Sequence, residues 1–124
     1  FKPMKQTIKL KFVKDLKKKA EICYEDCDIK VVAQKIISGN VNHIVITDRE
    51  NNLKGIVTSF DITKAIANEK NDLNSIITKR VVTTFNDEPI GNAARKMRQN
   101  NISALPVIDK NKKVVGIITS EELM

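Results

Sequence analysis

The 124-residue chain is poor in the residues that do chemistry. It has one histidine, His43, and two cysteines, Cys23 and Cys27, too few nitrogen and sulfur donors for a four-ligand zinc site. A Ser-His-Asp or Cys-His centre could use only His43, and nothing at a recognisable spacing accompanies it. The two cysteines read as reduced thiols of a cytoplasmic protein rather than as a disulfide. Tryptophan is absent and aromatics are 4%, so platforms for stacking on single-stranded nucleic acid are scarce. No apolar run approaches the roughly 20 residues of a membrane span, and no signal-peptide pattern opens the chain. The first residue is Phe1, so a piece of a longer protein is expected.

What is present is charge, and it is unevenly placed. The formal net charge is +7. Eight lysines stand in residues 1–19 against Asp15 alone, whereas the 14 basic side chains after them meet 14 acidic ones. The body is neutral and the lead-in is basic. A basic segment invites a nucleic-acid reading; a solvated linker is the simpler one.

The body repeats itself. The stretch NVNHIVITDRENNLKGIVTSFDI from Asn40 matches NISALPVIDKNKKVVGIITSEEL from Asn101. Gly55 and Gly116, Thr58 and Thr119, and Asp48 and Asp109 are each 61 residues apart. Upstream, Ile29, Ala33 and Ile36 match Ile90, Ala94 and Met97, and VKDL at 13–16 corresponds, one residue out of step, to LNSI at 73–76. The spacing Ile29, Val32, Ala33, Ile36, Ile37 predicts an amphipathic helix, as does Ile90, Ala93, Ala94, Met97. Asp87 is placed to cap the second of these, with Pro89 in its first turn. Strands are expected at 44–47 and 53–58 around a turn at 48–52, and again at 105–108 and 114–119 around 109–112. A helix follows over about 59–68, and its second copy is cut short by the chain end. Each unit thus reads strand, helix, strand, strand, helix. One unit has half a core; two packed together have a credible one. The alternation Ile8, Leu10, Phe12 against Lys9 and Lys11 predicts a further strand over 7–12.

The phrases GIVTSFD (55–61), GIITSEE (116–122) and NISALPVID (101–109), in two copies at this spacing, resemble a CBS-domain pair, or Bateman module. The likeness is strongest to pairs attached to archaeal proteins linked to homocysteine and methionine biosynthesis. It implies an α+β fold of two β-α-β-β-α CBS repeats in a pseudo-twofold pair, with a lead-in at 1–12 and repeats at 13–70 and 71–124. It implies a regulatory module without catalysis that binds S-adenosylmethionine, methylthioadenosine, AMP or ATP between the repeats. Such a module forms a homodimer and transmits a conformational change to an attached upstream domain. A ligand-free dimerisation module is the alternative, because Val45 stands where the second copy has Pro106 and Glu122 where the first has Asp61. A nucleic-acid-binding module using the Lys-rich lead-in is a third reading.

Under the resemblance, Thr58 and Asp61 open a helix beside free amide groups, where a phosphate is favoured and a carboxylate can hold both hydroxyls of a ribose. The same T-x-x-D spacing makes a capping box, and the two roles can coexist. Thr78, Arg80, Val81 and Val82, in the strand that opens the second repeat, are expected to complete the Asp61 site. Ile44 and Ile56 form its opposite wall unless they are only core, and Arg80 meets an anion unless it is simply solvated. His43 and, more weakly, Asn42 face the ligand's tail. A second, weaker site uses Thr119, Glu122, Ser103 and Ile117, the longer Glu122 carrying its carboxylate further into the ribose space. Asp61 is expected to mark the working site.

Overall fold

The structure, a computed structural model, describes residues 10–123. Two three-stranded sheets stand side by side, each made of a short strand, a long helix and a hairpin. The first contains β1 (Ile22–Tyr24), α2 (Ile29–Gly39), β2 (His43–Thr47), β3 (Leu53–Thr58) and α3 (Ser59–Ala67), preceded by a single helical turn, α1 (Val13–Leu16). The second repeats this with α4 (Leu73–Ile76), β4 (Thr84–Phe85), α5 (Ile90–Asn100), β5 (Ala104–Ile108), β6 (Val114–Thr119) and a closing 3-10 turn (Ser120–Leu123). In each sheet the short strand runs parallel to the middle strand and the hairpin is antiparallel. A parallel neighbour needs a crossover, which α2 and α5 supply.

The hairpins are fixed by local chemistry. One Asp48 carboxylate oxygen accepts from the backbone N–H groups of Glu50 and Asn52, both at 2.9 Å, and Asn51 takes the left-handed conformation with φ 66°. Asp109 does the same for Asn111 and Lys113, and Lys112 has φ 63°. Asp28 caps α2 through Lys30 N–H, and Asn40 and Asn101 end α2 and α5 at φ 51° and 52°.

Three expectations need correction. Asp87 does not cap α5: the helix begins at Ile90 after an extended Pro89, and Asp87 points outward, 3.7 Å from Lys14. The lead-in takes over there, because Lys11 C=O accepts from Ile90 N–H and the carbonyls of Asn86 and Glu88 accept from Lys14 and Val13. The strand expected over 78–82 is reduced to one bridge at Thr78, and the ladder resumes only at β4. Of the strand expected over 7–12, residues 7–9 lie outside the described residues, and Phe12 makes a single bridge to Pro89.

The packing exchanges the leading turns. Val13 and Leu16 of α1 bury against Ala93, Met97, Leu105, Val107 and Ile118 of the second unit. Leu73, Ile76 and Ile77 bury against Val32, Ile36, Ile44, Ile46, Val57 and Ile62 of the first. After each turn the chain crosses the opposite sheet, pairing Lys18 with Ile117 and Thr78 with Ile56. Such close passage requires a bare backbone. A Cβ on Gly55 would lie 2.4 Å from Ile77 side-chain atoms and 2.8 Å from Thr78 O, and one on Gly116 would lie 2.9 Å from Lys18 O. A third cluster, Ala20, Val45, Ala104, Ile108, Val114 and Ile117, forms the seam between the two units.

Candidate functional site

The strand-to-helix junction at Thr58 is the first element of the site. Thr58 Oγ1 accepts from Asp61 N–H at 3.1 Å, and Asp61 Oδ2 accepts from Thr58 N–H at 2.9 Å. This is a reciprocal capping box. The other Asp61 oxygen lies 3.8 Å from Lys64 Nζ. The carboxylate therefore caps the helix with one oxygen and keeps the second beside a cation. It lines a cleft of about 260 Å³ with Lys64, Asn68, Lys70, Ser75 and Thr78.

Thr78 connects that cleft to a larger hollow, cavity I, of about 400 Å³. Cavity I gathers Ile56 and Thr58 from β3, Thr78, Arg80, Val81 and Val82 from the crossing segment, Asn101, Ile102 and Ser103 from the loop entering β5, and Ala104 at its start. His43 also lines it. Among the described residues Arg80 is the only charged side chain in the lining, and it lies in a bend rather than at a strand start.

The related hollow on the other side, cavity II, is about 390 Å³. Ile117, Thr119 and Lys18 stand where cavity I has Ile56, Thr58 and Thr78, and Asn40–Asn42 where it has Asn101–Ser103. Its chemistry differs, with Lys18, Lys19, Glu21 and Glu121 in its lining. Its boundary also includes Ser59, Phe60 and Ser120. Glu122 does not extend into it. The carboxylate folds back: Oε1 accepts from Thr119 N–H at 2.7 Å and from the Thr119 hydroxyl at 2.8 Å, and Oε2 sits 3.4 Å from Lys18 Nζ. Instead of extending outward as expected, the longer side chain folds onto its own strand end, as Asp61 does at Thr58, and its second oxygen lies beside Lys18.

His43, Thr58 and Ser103 border both cavities, with His43 Nε2 3.1 Å from Ser103 Oγ. Burial holds the imidazole below its ordinary pKa, and the Lys18 charge adds to this, while Glu121 and Asp61 pull the other way. The ring is neutral at pH 7.

The structure brings together Thr58, Ile56, His43, Thr78, Arg80, Val81 and Val82 around cavity I, with Asp61 in the adjoining cleft. It separates two others from that group. Ile44 is fully buried in the first core cluster and lines neither cavity. Asn42 belongs to cavity II, where its side-chain oxygen accepts from Ser59 Oγ at 3.2 Å. Thr119, Ile117 and Ser103 line cavity II. Asn101 and Ile102 of cavity I, and Lys18, Lys19, Glu21, Asn40, Val41 and Glu121 of cavity II, escaped the sequence reading. The duplication could have found them: if 78–82 crosses to the first sheet, 18–22 crosses to the second.

Neither thiol is poised for chemistry. Cys23 is buried, and burial followed by the neighbouring Cys23 pushes the Cys27 thiol up to about 12. Among the described residues no cluster of three or more His, Cys, Asp or Glu could hold a metal ion, and no helix is long and apolar enough to cross a membrane.

Comparison with known proteins places this geometry in context. The CBS domain family model matches residues 13–68 and 73–124. The chain is 43% identical over 123 residues to L-aspartate semialdehyde sulfurtransferase of Methanocaldococcus jannaschii, covering 98% of this chain and 24% of that protein. The chain thus spans about a quarter of that curated relative. Among solved structures, the CBS domain pair of protein MJ0100, in complex with 5'-methylthioadenosine and S-adenosyl-L-methionine, superposes with a TM-score of 0.90 at 40% identity, covering 93% of this chain and 94% of that one. The CBS domain protein PAE2072 from Pyrobaculum aerophilum, complexed with AMP, gives 0.84 at 26% identity, covering 90% and 89%.

Proposed function

We propose, from the premise that this chain belongs to the CBS-domain family, that it is a cytoplasmic regulatory module binding an adenosine-containing ligand between its two repeats. The observation that carries this reading is cavity I, a half-open hollow built from both repeats, largely apolar, with one cation at its wall and a helix-capping carboxylate in the adjoining cleft. An adenosine is such a ligand: a flat base for the apolar wall of Ile56, Val82 and Ile102, a cis-diol for the second Asp61 oxygen, and a 5' tail extending toward Arg80 or His43. The complexes of MJ0100 and PAE2072 with methylthioadenosine, S-adenosylmethionine and AMP support the same ligand class. The Asp61 side is the stronger of two sites: Glu122 is tied by two bonds to Thr119 and lies 3.4 Å from Lys18, whereas Asp61 accepts one bond from Thr58 and its second oxygen is 3.8 Å from Lys64. Ligand draws the repeats together across the cleft, and an attached domain reads the change in pose.

The test is thermal unfolding with S-adenosylmethionine, methylthioadenosine, AMP and ATP in turn. A ligand at about 100 times its Kd adds about 2.7 kcal/mol of stability. At about 3–5 °C per kcal/mol for a chain of this size, Tm rises by about 10 °C. Four unchanged transitions refute the reading.

One observation favours a dimerisation role beside it. Ile37 on α2 and Phe60 and Ile66 on α3 are 81%, 66% and 75% exposed, apolar area that a second copy of the chain would cover. Light scattering that gives a monomer mass at micromolar concentration rejects the homodimer.

A further inference from the structure

The two cavities share three lining residues, His43, Thr58 and Ser103, and two of these touch. His43, the first residue of β2, comes from the first repeat; Ser103, just before β5, comes from the second; and their side chains meet at 3.1 Å. Both residues line both cavities. The internal symmetry does not duplicate this partition. Ala104, in the place of His43, faces cavity I and has no polar side-chain atom. Asn42, in the place of Ser103, faces cavity II and is engaged with Ser59. A single imidazole therefore serves two compartments.

That imidazole has one nitrogen at the partition. The charged groups around it are Lys18 from the first crossing segment, Glu121 from the closing turn and Asp61 from α3, and with burial they leave the ring neutral. A neutral ring offers one donor and one acceptor. Nε2 is held by Ser103, so a ligand group that bonds to it from either side displaces the serine, and only one side can hold it at a time.

We infer that the His43–Ser103 partition couples cavities I and II negatively: a ligand tail that takes His43 Nε2 in one cavity withdraws that hydrogen bond from a ligand in the other. The inference rests on the adenosyl-ligand reading above and adds a regulatory property to it. Coupling of this kind is reciprocal and limited in size. One net hydrogen bond corresponds to a change of roughly three- to ten-fold in affinity.

The experiment is calorimetric titration of S-adenosylmethionine, whose tail carries a carboxylate and an ammonium, at increasing fixed AMP, and of AMP at increasing fixed S-adenosylmethionine. The expected result for the parent protein is a Kd that rises roughly three- to ten-fold and then levels off, by the same factor in both directions. In His43→Ala the factor falls to one. His43→Phe keeps the ring and removes the nitrogens, and gives the same loss should the alanine variant fold poorly. Ser103→Ala keeps the coupling, since Nε2 is still shared. A Kd that climbs without limit means both ligands enter one cavity and overturns the inference. A Kd indifferent to the second ligand, or coupling that persists in both His43 variants, overturns it too. Absence of any binding by the parent removes the ligand reading itself and the inference with it.

Discussion

The crossing segments are the element on which both cavities depend, and Gly55 is where their geometry is most exposed to a single methyl group. Gly55→Ala places a Cβ 2.4 Å from two Ile77 side-chain carbons and 2.8 Å from Thr78 O. The isoleucine could rotate; the carbonyl could not without moving the backbone. That backbone is held by two hydrogen bonds of 3.0 Å, Ile56 N–H to Thr78 O and Thr78 N–H to Ile56 O. Overpacking of this kind costs about 1–3 kcal/mol. Scaled at about 3–5 °C per kcal/mol, the expected fall in Tm is about 3–15 °C. Because Thr78 lines cavity I and the Asp61 cleft, ligand affinity falls with it. Gly91 supplies the internal control. It lies in the first turn of α5 with nothing within 4 Å of its added Cβ. Gly91→Ala should raise stability by up to about 1 kcal/mol through helix propensity and reduced unfolded-state entropy. Differential scanning calorimetry of the two variants decides the matter. A Gly55→Ala protein that melts with the parent, or a Gly91→Ala protein that melts well below it, refutes the reasoning about where the backbone must be bare.

Other outcomes follow from the ionisable groups. His43 binds a proton less readily in the folded chain than at its ordinary 6.5, so the unfolded state takes up more protons and stability falls as pH drops through 6.5 to the lower folded value. Chemical denaturation between pH 7.5 and 5 should show this loss in the parent and a flatter profile in His43→Gln; equal slopes would contradict it. Burial pushes the Glu88 carboxyl up, but the Lys96 ammonium at 2.7 Å and the Phe85 N–H more than offset that and hold it below its usual range. Lys96→Met strips the carboxylate of its cation and also frees Thr83 C=O. It should cost about 1–2 kcal/mol at pH 7. The deficit should shrink as pH falls below 4.5, where the parent loses its own pairing energy and the variant's carboxyl is already protonated. A deficit independent of pH would rule out the ion pair as its source.

The sequence announced the hairpins and long helices plainly because their determinants are local. Asp48 and Asp109 build the turns within five residues, and α2 and α5 carry their apolar stripes on their own surfaces. The four-residue turns α1 and α4 are too short to show a period, and only their docking on the opposite sheet gives them a role. The 78–82 segment lost most of its expected strand because a single pair of backbone bonds to Ile56 fits at the glycine, and the chain then bends away at Arg80. Ile44 misled for another reason: β2 is buried from Ile44 onward on both faces, so alternation does not reveal which face meets a cavity. Glu122 could not be placed from spacing, since its conformation depends on Lys18, more than a hundred residues away. The same lysine is one of four charged side chains around cavity II, and its position there follows from the chain crossing rather than from any neighbour in sequence.

The most direct test of the ligand site is titration calorimetry of S-adenosylmethionine, methylthioadenosine, AMP and ATP against the parent, Asp61→Ala and Glu122→Ala proteins. At least one ligand should bind the parent, lose most of its affinity in Asp61→Ala, and retain it in Glu122→Ala. Four flat isotherms, or a ligand whose affinity is the same in the parent and Asp61→Ala, would contradict the assignment.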